Sequence, residues 1–337
     1  MTESDEANRD RRPHVAVVIV SFKSANDLSI CFEALARQSH PDFEVVVCEN
    51  GGAEAFRRLS LALPTALPGG QSVRLIEAPG NLGYAGGVNV GLRATREADA
   101  WWILNPDTQP APDALAALVE RLHAGGCDAV GGPVLTFDGE VITYGGAWNS
   151  WLARTTSLRD ENSGSGAIEG RLDYLCGASM LVGRRFLDVA GPLREDYFLY
   201  CEEVEWCLRA VQRGARLGFA RGGRVYHLQG ASTGNVLTVA DRPRLPVYLD
   251  ARNKVLLTID HYAAKAPIAI VAALLLLVAR YARRKAWRQL RDGVDGWRAG
   301  LRNERGIPAW LERGPQAPAW RTAQPPLEMS LWRSRRE

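Results

Sequence analysis

The stretch HVAVVIVSFKSANDLSICFEALARQSHPDFEVVVCEN, residues 14–50, decides the fold. Residues 14–20 form a nearly unbroken apolar run rich in β-branched side chains, as expected of a strand buried on both faces. The loop Ser21-Phe22-Lys23-Ser24 follows, and then Leu28, Cys31, Leu35 and Ala36 recur at helical spacing. Residues 43–48, FEVVVC, make a second buried strand. The alternation continues outward with a helix over residues 54–63, a strand over 73–76 and another over 100–104, which Pro106 stops at the turn 105–108. This pattern predicts an α/β fold with a mixed, mainly parallel sheet flanked by helices on both faces. Ligands of such sheets gather at the carboxyl ends of the strands, so the loops there are the first place to look for function.

A chain of 337 residues, 46% hydrophobic, can bury a sizeable core. Residues 1–13 are polar and mixed in charge, are expected to be disordered, and hold no apolar run suited to a secretory signal, so the expected location is the cytoplasm. One domain is expected over 14–235, with glycines and the polar stretch 159–170 marking a long flexible loop within it. The cysteines, Cys31, Cys48, Cys127, Cys176, Cys201 and Cys207, show no CxxC spacing and read as reduced core residues rather than a zinc site or disulfide framework. A net charge of +3 is too small for a nucleic-acid footprint, and nucleic acid is not an expected partner.

Residues 236–337 differ in kind and read as a helical, basic and aromatic extension. The apolar run 266–279 would reach about 21 Å as a helix, short of a hydrocarbon core of about 30 Å. Arg280, Arg283, Arg284, Lys285, Arg288 and Arg291 follow it, interleaved with Tyr281, Trp287 and Trp297. Peripheral contact with an anionic membrane surface accounts for that composition, and so does a helix buried against the main domain.

The stretch DYFLYCEEVEWCLR, residues 196–209, sets Glu202, Glu203 and Glu205 at a helix start. The helix dipole favours acids there, and Glu205 is placed to pair with Arg209 four residues on. Val204, Cys207, Leu208 and Val211 mark the expected buried stripe, which leaves Glu203 at its border. A carboxylate there is partly desolvated, and desolvation raises its pKa toward values useful to a general base. Asp107, in Asn105-Pro106-Asp107, closes a buried strand as an ordinary turn residue or as a ligand to a hard divalent cation. His227 ends another strand and is a candidate further ligand. The glycine-rich segment NLGYAGGVN, residues 81–89, joins a strand to a helix and would let backbone approach a phosphate. It is neither a dinucleotide fingerprint nor a P-loop, which argues against dehydrogenases and P-loop kinases.

In order, VVIVSF, Glu49-Asn50, NLGYAGGVN, LNPDT, CGASMLV, DYFLYCEEVEWCLRA and VYHLQGAS resemble the inverting family 2 glycosyltransferases of GT-A fold, in their bacterial rhamnosyltransferase-like branch. The resemblance covers residues 14–235 and extends more weakly to Arg252-Asn253 and the apolar helix. It implies that Asp107, in a variant of the DxD motif with Asn105 as its first position, binds Mg2+ or Mn2+ on the donor diphosphate with His227. It implies that Glu203, beside Glu202, is the general base. Ser21, Glu49, Asn81, Gly83, Gly86 and Asn89 match positions lining the nucleotide pocket. The chain departs from the family in having Glu at 49 and 203, where Asp is usual, and it lacks the QxxRW motif of processive synthases.

The expected function is therefore transfer of one sugar or a few, with L-rhamnose favoured, from a dTDP- or UDP-sugar. The expected acceptor is a glycan or lipid-linked molecule at the inner face of the cell membrane, in cell-envelope polysaccharide synthesis. A non-catalytic GT-A-like binding scaffold remains as the alternative, and homo-oligomerisation stays open.

Overall fold

The computed structural model describes residues 13–160, 168–227 and 238–312. The expected disorder of residues 1–12, the centre of the polar loop (161–167), the expected domain end (228–237) and the tail from 313 lie outside the described residues.

The N-terminal half runs β1 (Val15–Ser21), α1 (Ala25–Leu35), β2 (Phe43–Glu49), α2 (Ala53–Ala62), β3 (Val73–Glu77), α3 (Gly83–Ala94) and β4 (Ala100–Leu104). Then come β5 (Thr108–Pro110), α4 (Ala114–His123), β6 (Ala129–Gly131), β7 (Val134–Leu135), β8 (Val141–Thr143), β9 (Gly146–Asn149) and β10 (Arg154–Ser157). The remainder is β11 (Ser179–Gly183), α5 (Arg184–Ala190), α6 (Glu202–Gln212), β12 (Leu217–Phe219), β13 (Val225–His227), α7 (Arg244–His261), α8 (Ala266–Ala282) and α9 (Trp287–Leu301).

The main sheet has the order β12-β6-β11-β4-β1-β2-β3. Only β11 runs antiparallel to its neighbours, so the sheet is mixed and mainly parallel, as the alternation of elements predicts. Successive β1 side chains serve opposite faces. Val15, Val17 and Ile19 join Leu28 and Leu35 of α1 and Leu118 of α4, while Ala16, Val18 and Val20 join Val88 and Leu92 of α3. Helix α3 lies so close to β1 that a Cβ on Gly91 would come within 2.3 Å of Val18 Cγ1, and one on Gly87 within 2.6 Å of Val20 Cγ1. These glycines serve helix-on-strand packing.

A second sheet, β5-β13-β7-β8, stands beyond the carboxyl end of β4. Antiparallel pairing of β13 with β5 sets His227 opposite Thr108, which follows Asp107 in the chain. All six cysteines are free, and five are buried, as their apolar settings predict.

Two expectations for the C-terminal part change. Helix α7, beyond the expected domain boundary, sends Leu256 and Leu257 into the same core as α3, α5 and α6, so it belongs to the same packed body. Helix α8 continues a turn at residues 263–265, giving 20 residues from Ala263 to Ala282, long and apolar enough by length and composition to cross a membrane. Backbone geometry carries the helix past Lys265 and Arg280, where the apolar run stops. Only 6% of its most apolar 18-residue window is buried, against the buried-helix alternative. Ala269 faces the core and Trp297 Nε1 of α9 donates to the Ile270 carbonyl at 3.0 Å, while Ile268, Val271 and Leu275 are exposed.

Candidate active site

The site is assembled around the short segment Cys176-Gly177-Ala178 leading into β11. The Ala178 carbonyl accepts from the Asn105 amide at 3.0 Å, which fixes the turn after β4. The Gly177 carbonyl accepts from Tyr84 Oη at 2.6 Å, which brings in the start of α3. A Cβ on Gly177 would touch Cβ and Cγ of Glu203 at 3.4 Å, so the first turn of α6 packs on the same segment. Asn105, Tyr84 and Glu203, far apart in sequence, thus border one site. Asp107 is 8% exposed, and its Oδ1 lies 3.0 Å from His227 Nε2, a contact produced by the β5–β13 pairing.

Helix α6 begins in strained backbone. Phe198, Tyr200 and Cys201 all have left-handed φ, between 65° and 69°, a conformation that costs residues with a Cβ about 1–2 kcal/mol each. Helix α7 compensates. Asn253 Nδ2 donates to the carbonyls of Tyr197, Leu199 and Tyr200 at 3.0, 2.9 and 2.6 Å, and Arg252 Nη2 donates to Tyr197 O at 3.1 Å. Arg252 Nε in turn donates to Asn253 Oδ1 at 2.9 Å, and both side chains are fully buried. The sequence pattern gives this pair no role in the site; apart from the weak resemblance that reaches them, their signal is two adjacent strongly polar residues between apolar turns of a helix.

The three acids of α6 have three different environments. Glu205 is fully buried and bound by Arg209 at 2.8 and 2.9 Å, as its spacing predicts, and it also meets His261 Nε2 at 3.2 Å. Although burial pushes its pKa up, the His261 and Arg209 contacts outweigh it and hold the carboxyl below its ordinary value. Glu202 is 4% exposed, and its Oε2 has no partner among the described residues. Burial, and then the neighbouring Glu203 charge, push its pKa far upward. Glu203 is half-buried and also raised, first by burial and further by Asp250, against the pull of its own and Val204's amides. Of the pair, the more secluded Glu202 is raised further, and Glu203, at the cleft, is raised as well. Burial extends round more of α6 than the expected stripe, because α5 packs on one side through Trp206 and α7 on the other through Glu205; only Val211 departs outward.

Tyr84 lies in electrostatic reach of Glu202, Glu203 and Asp107. Its phenol is held far above its ordinary pKa by burial first, then by Glu202, Glu203, Cys176 and Asp107. It is a site residue that the sequence pattern did not single out, although NLGYAGGVN contains it.

At the ends of β1 and β2, Ser21 Oγ donates to Glu49 Oε2 at 2.5 Å, while the amides of Lys23 and Gly51 donate to Oε1 at 3.1 and 2.6 Å. Glu49 thereby fixes both loops of a cavity of about 310 Å3 bordered by Lys23, Gly51, Glu54 and Arg58. Asn81 Oδ1 accepts from the Gly83 amide at 3.0 Å. Gly83 has φ +71°, and a Cβ there would lie 2.2 Å from the Phe198 carbonyl, so only glycine suits this crossing of α3 and the α6 approach. Gly86 packs on Leu82. Asn89 is 1% exposed, donates to Leu193 O and Glu195 Oε1 at 2.9 Å and accepts from Leu193 N at 3.0 Å. Its expected place in the nucleotide pocket gives way to a tie between α3 and the loop before α6.

Among the described residues no three His, Cys, Asp or Glu side chains converge as a metal cluster. Asp107 and His227 together offer one hard oxygen and one imidazole nitrogen, a donor pair that suits Mn2+ at least as well as Mg2+ when substrate oxygens complete the shell.

A mixed, mainly parallel sheet with its functional loops at the strand ends and a carboxylate turn after β4 is the arrangement of the GT-A glycosyltransferase structures it matches. The fold matches the mannosyltransferase PcManGT from Pyrobaculum calidifontis in complex with GDP-Man and Mn2+, with a TM-score of 0.53 at 15% identity over 88% of this chain and 89% of that one. It also matches GalNAc-T7 with UDP, GalNAc and Mn2+, with a TM-score of 0.56 at 15% identity over 74% of this chain and 48% of that one. The model of the family "Glycosyl transferase family 2" matches residues 16–188, and the chain belongs to that family.

Its relatives include the low-salt glycan biosynthesis hexosyltransferase Agl10 of Haloferax volcanii, 23% identical over 72% of this chain and 74% of that protein. The succinoglycan biosynthesis protein ExoO of Rhizobium meliloti is 29% identical over 68% of this chain and 64% of its own length. The N-acetylglucosaminyl-diphospho-decaprenol L-rhamnosyltransferase of Mycobacterium tuberculosis is 25% identical over 65% and 77%.

Proposed function

We propose that this glycosyltransferase moves a single sugar, with inversion, from a nucleoside-diphosphate sugar to a hydroxyl of a glycan or lipid-linked acceptor at the inner membrane face. The observation that carries the proposal is the convergence of the Asp107–His227 pair, Tyr84 and Glu203 around Cys176-Gly177-Ala178. Glu203 accepts the proton of the acceptor hydroxyl, and its raised pKa makes it a stronger base than an ordinary carboxylate. The acceptor oxygen then forms a bond to the anomeric carbon as the bond to the diphosphate breaks on the opposite face. The nucleoside diphosphate departs with that electron pair, and the proton stays on Glu203 until solvent takes it. Asp107 and His227 would hold a divalent cation, whose positive charge stabilises the departing diphosphate. Ser21 and Glu49 shape the nucleotide side by fixing their loops. The rhamnosyltransferase relative favours L-rhamnose as the sugar transferred. The exposed apolar face of α8, followed by its basic and tryptophan residues, supports membrane contact.

The test is thermal stabilisation by dTDP, UDP and GDP, each with and without Mn2+, alongside transfer assays of the Glu203→Gln variant. Metal-dependent stabilisation with transfer lost by about 10²–10⁴-fold in the variant fits the proposal. Stabilisation with no transfer by the wild-type chain, under any donor, would instead mark a binding scaffold.

A further inference from the structure

A cavity of about 490 Å3 lies between α7, α8 and the β10 strand. Its charged wall holds Arg154, Asp250, Lys254, Arg280 and Arg284. Lys254 Nζ is bound to Asp250 Oδ2 at 2.7 Å, so these two largely cancel. Among the described residues, no carboxylate pairs with Arg154, Arg280 or Arg284. Arg284 instead donates to the Arg280 carbonyl at 2.9 Å, and the Arg280 guanidinium stands 5.5 Å from the Tyr281 ring centroid. Three guanidinium groups without counter-charges at one cavity are suited to phosphate oxygens, which they bind in a planar, bidentate manner.

The surroundings say what carries the phosphate. On one side Leu276 and Leu277 of α8 line the cavity, and the same helix continues outward as the exposed Val271, Leu275 and Val278. A hydrocarbon chain leaving the cavity along α8 has these apolar side chains to lie against. On the other side, Asp250 and Lys254 flank Arg252 and Asn253, the pair that grips the backbone entering α6. Thr155, also in the wall, is hydrogen-bonded to Tyr174, and both Tyr174 and Asp250 lie within electrostatic reach of Glu203. The cavity thus spans from an apolar outer surface to the flank of the base.

We propose that this cavity binds the diphosphate of a lipid-linked acceptor through Arg154, Arg280 and Arg284, with the hydrocarbon tail along α8 and the acceptor sugar directed toward Glu203. This assignment rests on the transferase function proposed above and gives its acceptor a chemical class, a sugar on a prenyl-type diphosphate.

The experiment measures equilibrium binding of farnesyl diphosphate, inorganic pyrophosphate and farnesol to the full chain in neutral detergent. The same titrations are run on the Arg280→Gln/Arg284→Gln double variant and, independently, on Arg154→Gln. Farnesyl diphosphate is expected to bind at least about tenfold more tightly than either fragment, and each variant to weaken it by about tenfold or more, the scale of a lost charge-assisted hydrogen bond. Binding no tighter than that of pyrophosphate would mean a free-phosphate site, and binding unmoved in both variants would mean another location; either result overturns the proposal. So would variants that lose binding to phosphatidylglycerol vesicles yet retain farnesyl diphosphate, since the arginines then serve only the bilayer surface. Binding of dTDP or UDP with Mn2+ is recorded in parallel. Its absence in the wild-type chain would sink the transferase reading by itself, while the farnesyl diphosphate titration still decides the cavity.

Discussion

Replacing Asn253 by alanine tests whether helix α7 positions the catalytic acids. Tyr197 O keeps its bond from Arg252 Nη2, so the change removes the Asn253 bonds to the Leu199 and Tyr200 carbonyls and strips Arg252 Nε of its acceptor. Three buried groups that lose their partner, the Leu199 and Tyr200 carbonyls and Arg252 Nε, at about 1–2 kcal/mol each give about 3–6 kcal/mol of destabilisation. That loss is comparable to the strain of three left-handed residues at about 1–2 kcal/mol each, so residues 198–201 are expected to relax. Because Glu202 and Glu203 begin at the next residue, a shift of about 1 Å there would lower kcat by up to about 10²-fold. The nucleotide loops at β1 and β2 are untouched, so the donor KM should change by less than about threefold. Urea denaturation gives the stability term and steady-state kinetics the split between kcat and KM. A variant that loses stability while keeping kcat would refute the positioning argument, and wild-type behaviour in both would refute the clamp itself.

Three further outcomes follow from the same geometry. Glu202 has a folded-state pKa raised above its unfolded value, so its contribution to stability is fully present below pH ~4.5 and is lost as pH rises through the folded pKa. Glu202→Gln should therefore gain on the wild type with rising pH, by up to about 1–3 kcal/mol in urea titrations, and a difference that is flat from pH 4 to 8 would count against it. Because Asp250 contributes to the raised pKa of Glu203, the acid limb of the kcat/KM profile should lie above the ordinary carboxylate range and move to lower pH in Asp250→Asn; an unmoved limb would remove Asp250 from the account. Gly83→Ala combines a φ of +71° with a Cβ 2.2 Å from the Phe198 carbonyl, and should cost more than about 2 kcal/mol of stability, whereas a wild-type denaturation midpoint would show that the crossing yields easily.

The central strands were legible because they are buried on both faces, and continuous runs such as VAVVIV and FEVVVC leave no competing period. The individual acids were less so. Helical periodicity put Glu203 on a border correctly but left Glu202 without a role, since the helix starts from a left-handed residue at Cys201 and Glu202 is buried in the tertiary structure. Asp107 and His227 each read as candidates, yet 120 residues separate them and only the pairing of β5 with β13 brings their side chains together. Asn89 and Gly86 belong to a segment rich in ligand-type residues, but Asn89 is spent on Leu193 and Glu195 in the loop before α6, and Gly86 packs on Leu82. Arg252 and Asn253 act entirely through tertiary contacts to another element, which no local pattern encodes.

The position of helix α7 also bears on where this protein can be cut. A shortened chain stopped near residue 235 would include all the residues that the family model matches, together with Asp107, Glu203 and His227, and would look complete on paper. It would lack the only donors described for the Leu199 carbonyl and two leucines of the shared core, Leu256 and Leu257. Anyone seeking better solubility should keep α7 together with α9, which packs on it at Gly296 and Gly300 and leads to the Gly306 carbonyl that accepts from Arg252 Nη1 at 2.7 Å, and should substitute the outward residues of α8 rather than remove the helix.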